Sequence, residues 1–190
     1  MWALVESNNI TKLISNPKPM VIGDVQYPSN IFASWSSADL KAIGLYEISV
    51  DESNLKDSRY YINGDIAYTY DSSGDAVNGA YPSATAKPLD DVLWLDSDDK
   101  PDGVSTGDFR TEGLKNIHKK QVNHEASVLL SKYDWYSLRA ADGGTAVPSN
   151  ISTYRAAVRT KANEHTTAID AVSDVDALIA LVYDWPTLGS

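Results

Sequence analysis

The chain of 190 residues contains no cysteine. Disulfide frameworks, thiol catalysis and thiolate metal sites are therefore excluded. Phenylalanine is scarce, with two residues against eleven tyrosines and five tryptophans. The aromatic set is thus mostly amphipathic, and rings that carry a polar group suit interfaces as well as cores. Positive charge is also short. Sixteen Lys and Arg face twenty-six Asp and Glu, for a net charge of −10 and a sequence pI near 4.6. A nucleic-acid binder displaces counterions with a basic face. The one local basic stripe, Lys115, Lys119 and Lys120, reads as a solvated helix face, so no nucleic-acid partner is expected. No apolar run approaches the ~18 to 20 residues of a membrane span. The opening MWALVESNNITKL has neither a basic n-region nor a long apolar h-region, so no secretory leader is expected and synthesis as a soluble chain in a cytoplasm is.

Chemical motifs are equally sparse. The chain has three histidines. His118 and His124 share a predicted helix but not the i, i+3 or i, i+4 spacing of helical metal sites. His165 falls on an apolar stripe and reads as a packed side chain. His124-Glu125 does not extend to an HExxH motif. The acids Asp90, Asp91, Asp96, Asp98, Asp99 and Asp102 invite a calcium reading, yet an EF-hand register from Asp98 places Lys100 at the third position and Phe109 at the twelfth. An irregular calcium loop, and a carboxylate pair for glycoside hydrolysis, stay open from sequence because their spacing is spatial. Gly143-Gly144 follows a helix rather than opening one from a strand, so it is no phosphate loop, and no GxSxG elbow occurs. No catalytic residue, metal or cofactor is expected, and the chain is expected not to be an enzyme.

The pattern predicts an α+β fold in three parts. Residues 1–70 read as a small β-rich module with one short helix. Trp2 to Val5 and Ile10 to Ile14 form a hairpin across Ser7-Asn8-Asn9, and Met20 to Ile22 is a third strand. Ser36-Ser37 caps a short helix with Asp39 in its first turn and Gly44 at its end, and Leu45 to Val50 is the next strand. Tyr60-Tyr61-Ile62 and Ile66 to Tyr70 read as a hairpin around Asn63-Gly64. Residues 71–107, rich in Asp, Ser, Gly and Pro around the apolar island Val92 to Leu95, read as an acidic linker. Residues 108–190 read as a helical module. Leu114, Ile117, Val122, Ala126, Leu129 and Tyr133 mark one stripe; Ile151, Tyr154, Val158, Ala162, His165 and Ile169 mark a second. The two helices are expected to pair as an antiparallel hairpin across the loop from Ala140 to Pro148. A last helix, Val175 to Val182, follows a cap at Ser173 to Asp176. No internal repeat was apparent.

Two segments carry a resemblance. The first is LLSKYDWYSLRAADGG, Leu129 to Gly144, followed by YRAAVR, Tyr154 to Arg159. A helix runs into Asp134-Trp135-Tyr136, breaks at Gly143-Gly144, and a second helix opens with Tyr154, Arg155 and Arg159. The second is YPSNIFASWSSADLKAIGLYEISV, residues 27–50, with its Trp35-Ser36, Asp39-Leu40 and Ile43-Gly44 pattern. Together they resemble the tail-fibre assembly and tail-assembly-chaperone-like proteins of tailed bacteriophages. The resemblance implies a non-catalytic structural or assembly protein of the viral tail. Its expected partners are fibre, tail or baseplate proteins in an oligomeric assembly, and its expected place is the virion tail, after synthesis in the host cytoplasm. The alternative is a receptor-binding module that stacks aromatic rings on glycans. The candidate partner-binding residues are Trp35, Tyr60, Tyr61, Trp94, Trp135, Tyr136 and Arg155. Arg155 and Arg159 are also expected to reach Asp134 or Asp142 across the hairpin.

Overall fold

The computed structural model describes residues 1–189 and has the expected α+β composition. The chain divides into two units, 1–85 and 86–190.

The first unit is built on a five-stranded sheet in the order β2-β1-β5-β8-β7. Its members are β1 (Trp2–Glu6), β2 (Asn9–Ile14), β5 (Leu45–Asp51), β7 (Ala67–Asp71) and β8 (Ala76–Ala80). Ser7 and Asn8 take positive φ and turn β1 into β2, as the turn triplet predicted. β3 (Met20–Ile22) and β4 (Val25–Tyr27) form a separate ribbon, and β6 (Tyr61–Ile62) and β9 (Thr85–Ala86) are short. Strand alternation creates two cores. Leu4 opposite Leu45 points toward α1 (Ile31–Ser34) and α2 (Ser37–Ala42), where Ile31 and Leu40 are buried. Ala3 opposite Tyr46 points the other way, with Ile48 and Val77. The edge strands β2 and β7 touch, so the sheet curls around this second core. The serine cap expected at α2 forms, and Asp39 closes it into a capping box: Ser36 Oγ accepts from Asp39 N, and the Asp39 carboxylate accepts from Ser36 N. Gly44 follows at φ +83°, and a Cβ there would lie 2.6 Å from the Val5 carbonyl. Only glycine fits this approach of the helix exit to β1.

Two expectations for this unit are corrected. Asn63-Gly64 does not close a hairpin. Asn63 Oδ1 accepts from Lys56 N and its Nδ2 donates to Lys56 O, so the asparagine engages its own loop. β7 turns instead into β8 through residues 72–75 and pairs with it antiparallel. The expected linker 71–107 likewise begins with structure. β8 lies inside the sheet, parallel to β5 and antiparallel to β7. Its composition misleads because Val77 supplies the buried contact, while Gly79 is small so that the Tyr68 ring can lie over it, with a Cβ there only 3.0 Å from Tyr68 Cε1.

The second unit pairs β10 (Val92–Leu93) with β11 (Phe109–Thr111), and the acidic loop between them is closed rather than loose. Asp98 accepts from Leu95 N and Asp108 from Ser105 N, and Lys100 Nζ donates to the Leu95, Asp96 and Asp98 carbonyls. The loop's oxygens thus converge on an ammonium of the chain itself. Helices α3 (Leu114–Ser131), α4 (Asp134–Ala141), α5 (Ser149–Ala171) and α6 (Val175–Ile179) follow. Backbone carbonyls of Pro88 and Leu89 accept from Leu114 N and Lys115 N, satisfying the first turn of α3 without a side-chain cap. Lys119 pairs with Asp170 and Arg155 reaches Leu130 O, so α3 and α5 run antiparallel. Their buried faces include Leu114, Val122 and Ala126 on one and Ile151, Tyr154, Val158, His165 and Ile169 on the other. Ile117, expected on the stripe, is exposed; His118 takes the buried position. The first predicted helix breaks earlier than expected, at Lys132-Tyr133, which leaves α4 as a separate element. The last helix ends at Ile179 rather than Val182, and Asp174 caps it through Ala177 N.

Candidate binding surface

α4 has no buried residue. An amphipathic helix ordinarily covers one face with its own fold, and this one instead turns large apolar side chains outward. Trp135 is 50% exposed and Leu138 is 67% exposed. Tyr136 is half-buried and lies against Trp135, with ring centroids 3.8 Å apart and planes tilted by 30°. The Arg139 guanidinium sits 4.9 Å from the Trp135 centroid and 5.2 Å from that of Tyr136. At (i, i+4) from Trp135 it reaches the same helix face, where a cation over a ring is favourable.

The helix is held by its first turn. Asp134 Oδ1 pairs with Arg155 Nη1 at 2.8 Å, and the same guanidinium nitrogen donates to Leu130 O at 2.8 Å. Arg155 is nearly covered, so this pair is screened less than a surface one. Tyr133 packs edge-on against Tyr154 at 5.4 Å, beside Ala126 and Val158. Of the sequence-predicted residues, Trp135, Tyr136 and Arg155 therefore come together, Arg155 as the fixing group rather than as an exposed contact. The expected reach of Arg155 to Asp134 is observed; Arg159 instead donates to the Arg155 carbonyl.

The other predicted residues occupy separate settings. Trp35 follows α1, is 39% exposed, and meets Tyr27 edge-on at 5.8 Å. Tyr60 and Tyr61 are half-buried, with Arg59 and Lys56 over their respective rings. Trp94 is half-buried under the Arg110 guanidinium at 4.7 Å. Tyr68 and Tyr70 pack against the second core of the sheet.

A second constellation was missed from the sequence. Tyr183, Asp184 and Trp185 lie in an irregular stretch that returns to the α3–α5 pair. Tyr183 Oη lies 2.7 Å from His118 Nδ1, and the Asp184 carbonyl accepts from His165 Nε2 at 2.8 Å. Asp184 also pairs with Lys161, and Trp185 Nε1 donates to Glu125 Oε2 at 2.8 Å. Burial holds the His118 pKa below its ordinary value. Hydrogen bonds from Gln121 first and then Trp185 hold the Glu125 carboxyl low. The signal that points here is a doubled string: Tyr133-Asp134-Trp135-Tyr136-Ser137-Leu138 and Tyr183-Asp184-Trp185-Pro186-Thr187-Leu188. It is too short to register as a structural repeat.

Among the described residues no group of three or more His, Cys, Asp or Glu is placed to hold a metal ion. No helix among them is long and apolar enough to cross a membrane. Comparison with protein-family models, curated proteins and solved structures returned no match.

Proposed function

We propose that this protein is a tail-associated protein of a tailed bacteriophage, structural or fibre-assembling, that acts by binding fibre or tail subunits without catalysis. The observation that carries this reading is α4: a helix with no buried residue, pinned by the Arg155–Asp134 pair, that presents Trp135 and Leu138 to solvent with the half-buried Tyr136 against Trp135. A rigid aromatic and aliphatic cluster is the kind of anchor that supplies most of an interface's energy. The motif order from Leu129 to Arg159 and the segment 27–50, through their resemblance to fibre-assembly proteins, supply the class of partner.

The test is co-expression with bacteriophage fibre and tail proteins, followed by purification and mass spectrometry of both complexes and assembled particles. A fixed stoichiometry in particles makes it a tail component. Recovery only with immature fibre protein makes it a transient assembly factor. Absence from both refutes the reading. The glycan-binding alternative predicts instead that the protein alone is retained on a glycan array and loses retention on Trp135→Ala.

A further inference from the structure

The chain contains its own example of how a Tyr-Asp-Trp segment is seated. In both copies the Asp pairs with a cation on α5: Asp134 with Arg155, Asp184 with Lys161. In both the Tyr packs on that helix pair, Tyr133 against Tyr154 and Tyr183 against His165. The tryptophans differ. The Trp185 ring packs beside Ala126, Tyr154 and Val158, and its indole N–H is received by the Glu125 carboxylate. Trp135 has neither an apolar seat nor an acceptor for its N–H among the described residues. Arg139 beside it makes no ion pair among them, and its covered Nε has no hydrogen-bond partner. In a chain with ten more acids than bases, an arginine left without a carboxylate on an apolar helix face marks a place where an acid is missing.

We infer that the α4 face is the docking site for a partner helix that presents a carboxylate within an apolar stripe, the carboxylate being received by the Trp135 indole N–H and the Arg139 guanidinium. This rests on the functional reading above and names the chemistry of the partner's surface. The apolar part of the stripe covers Leu138 and the Trp135–Tyr136 pair. Small residues beside the carboxylate let the indole lie flat, as Ala126 does beside Glu125 for Trp185. The Trp135 indole loses water on docking, so an acceptor must replace it, and a charged acceptor beside the Arg139 guanidinium does so more strongly than a neutral one. The paired Asp134 adds specificity against carboxylates placed toward the start of α4, where like charges would meet.

The experiment uses the full-length protein and a fluorescein-labelled, end-capped amphipathic helix of roughly 18 residues, built of Leu, Ala and Lys with one Glu centred in its apolar face. A second probe carries Gln in place of that Glu. Binding is followed by anisotropy at physiological salt. The Glu probe is expected to bind about tenfold more tightly than the Gln probe, and Trp135→Ala and Arg139→Gln each to weaken it about tenfold. Leu138→Glu, which leaves the aromatic pair in place, is expected to abolish binding through like-charge repulsion, and far-UV circular dichroism checks that each variant is folded. Equal binding of the Glu and Gln probes, or binding untouched by Trp135→Ala, overturns the inference. So does a Trp135-dependent dimer of the protein alone, which would make a second copy the occupant, or Trp135-dependent retention on a glycan array. If the Glu probe behaves as expected and no fibre protein co-purifies, the functional reading fails while the surface chemistry stands. If fibre protein binds equally to wild type and Trp135→Ala, the reverse holds.

Discussion

The segments 133–138 and 183–188 begin with the same three residues and end in the same leucine, yet one displays its tryptophan and the other tucks it in. What separates them is the residue after the tryptophan. Tyr136 can continue a helix, and α4 forms from Asp134, so the indole of Trp135 is carried onto the outer face. Pro186 disfavours helical backbone at the residue before it, and the stretch around Trp185 is irregular. The indole of Trp185 then lies inward, against Glu125 and the α3–α5 core. One tripeptide thus serves as a structural clasp or as an exposed anchor according to its neighbour's backbone preference. The shared Asp–cation pairing to α5 is common to both.

On this contrast Trp185→Ala has the largest expected effect. It removes a partly buried ring and leaves Glu125 without its indole donor, and is expected to cost about 2–3 kcal/mol of stability, read from urea denaturation. A cost below about 0.5 kcal/mol would show that the second segment is not docked in solution. Asp134→Asn comes next. It takes the charge partner from the nearly covered Arg155, which keeps Leu130 O, and with Asp134 itself more than half exposed the expected loss is about 1 kcal/mol. The equivalent change Asp184→Asn is expected to cost less, because Asp184 and Lys161 are more exposed than Asp134 and Arg155, respectively.

Acid should loosen the second segment. Burial lowers the His118 pKa, so the unfolded chain takes up a proton near pH 6.5 while folded His118 does so only below that. The stability from neutral His118 is complete above that pH and declines as pH falls through the window between the two values. Glu125, also lowered, adds a loss of the same sign further down, in the carboxylate range. Melting curves across pH 5 to 8 should therefore show a slope that His118→Gln flattens; an unchanged slope would locate the titration elsewhere. Trp135→Ala should have the smallest effect on stability, within about 0.5 kcal/mol, although it removes the proposed anchor. A loss as large as that of Trp185→Ala would mean that α4 is a core element after all.

Local chemistry made part of this legible beforehand. Ser36, Asp39 and Gly44 fixed the start and end of α2, because each satisfies or permits a specific backbone group. The α5 stripe from Ile151 to Ile169 was readable because its three-and-four spacing has no interruption. Pairings decided at a distance were not readable. Nothing local in Leu45 to Val50 says that β8 will lie beside it in parallel, and the Asn63-Gly64 signal failed because Asn63 is engaged by the Lys56 backbone. The break before α4 escaped notice because Leu129 to Leu138 remains helix-compatible throughout. Trp135 and Tyr136 could be singled out by type, whereas Arg139, Glu125 and Trp185 acquire their meaning only from what lies across from them.

The parallel pairing of β5 with β8 has a consequence for the nascent chain. When β5 leaves the ribosome it can pair with β1 at once, but its other edge stays bare until everything between Asp51 and Ala76 has been synthesised. At ~5–20 residues per second that delay is on the order of seconds, during which an open strand edge is a template for a neighbouring chain. Where many copies are translated together on polysomes, this interval is when co-translational aggregation is most dangerous. The acids Glu47 and Asp51 on β5 lie where charge repulsion between two such edges would oppose it.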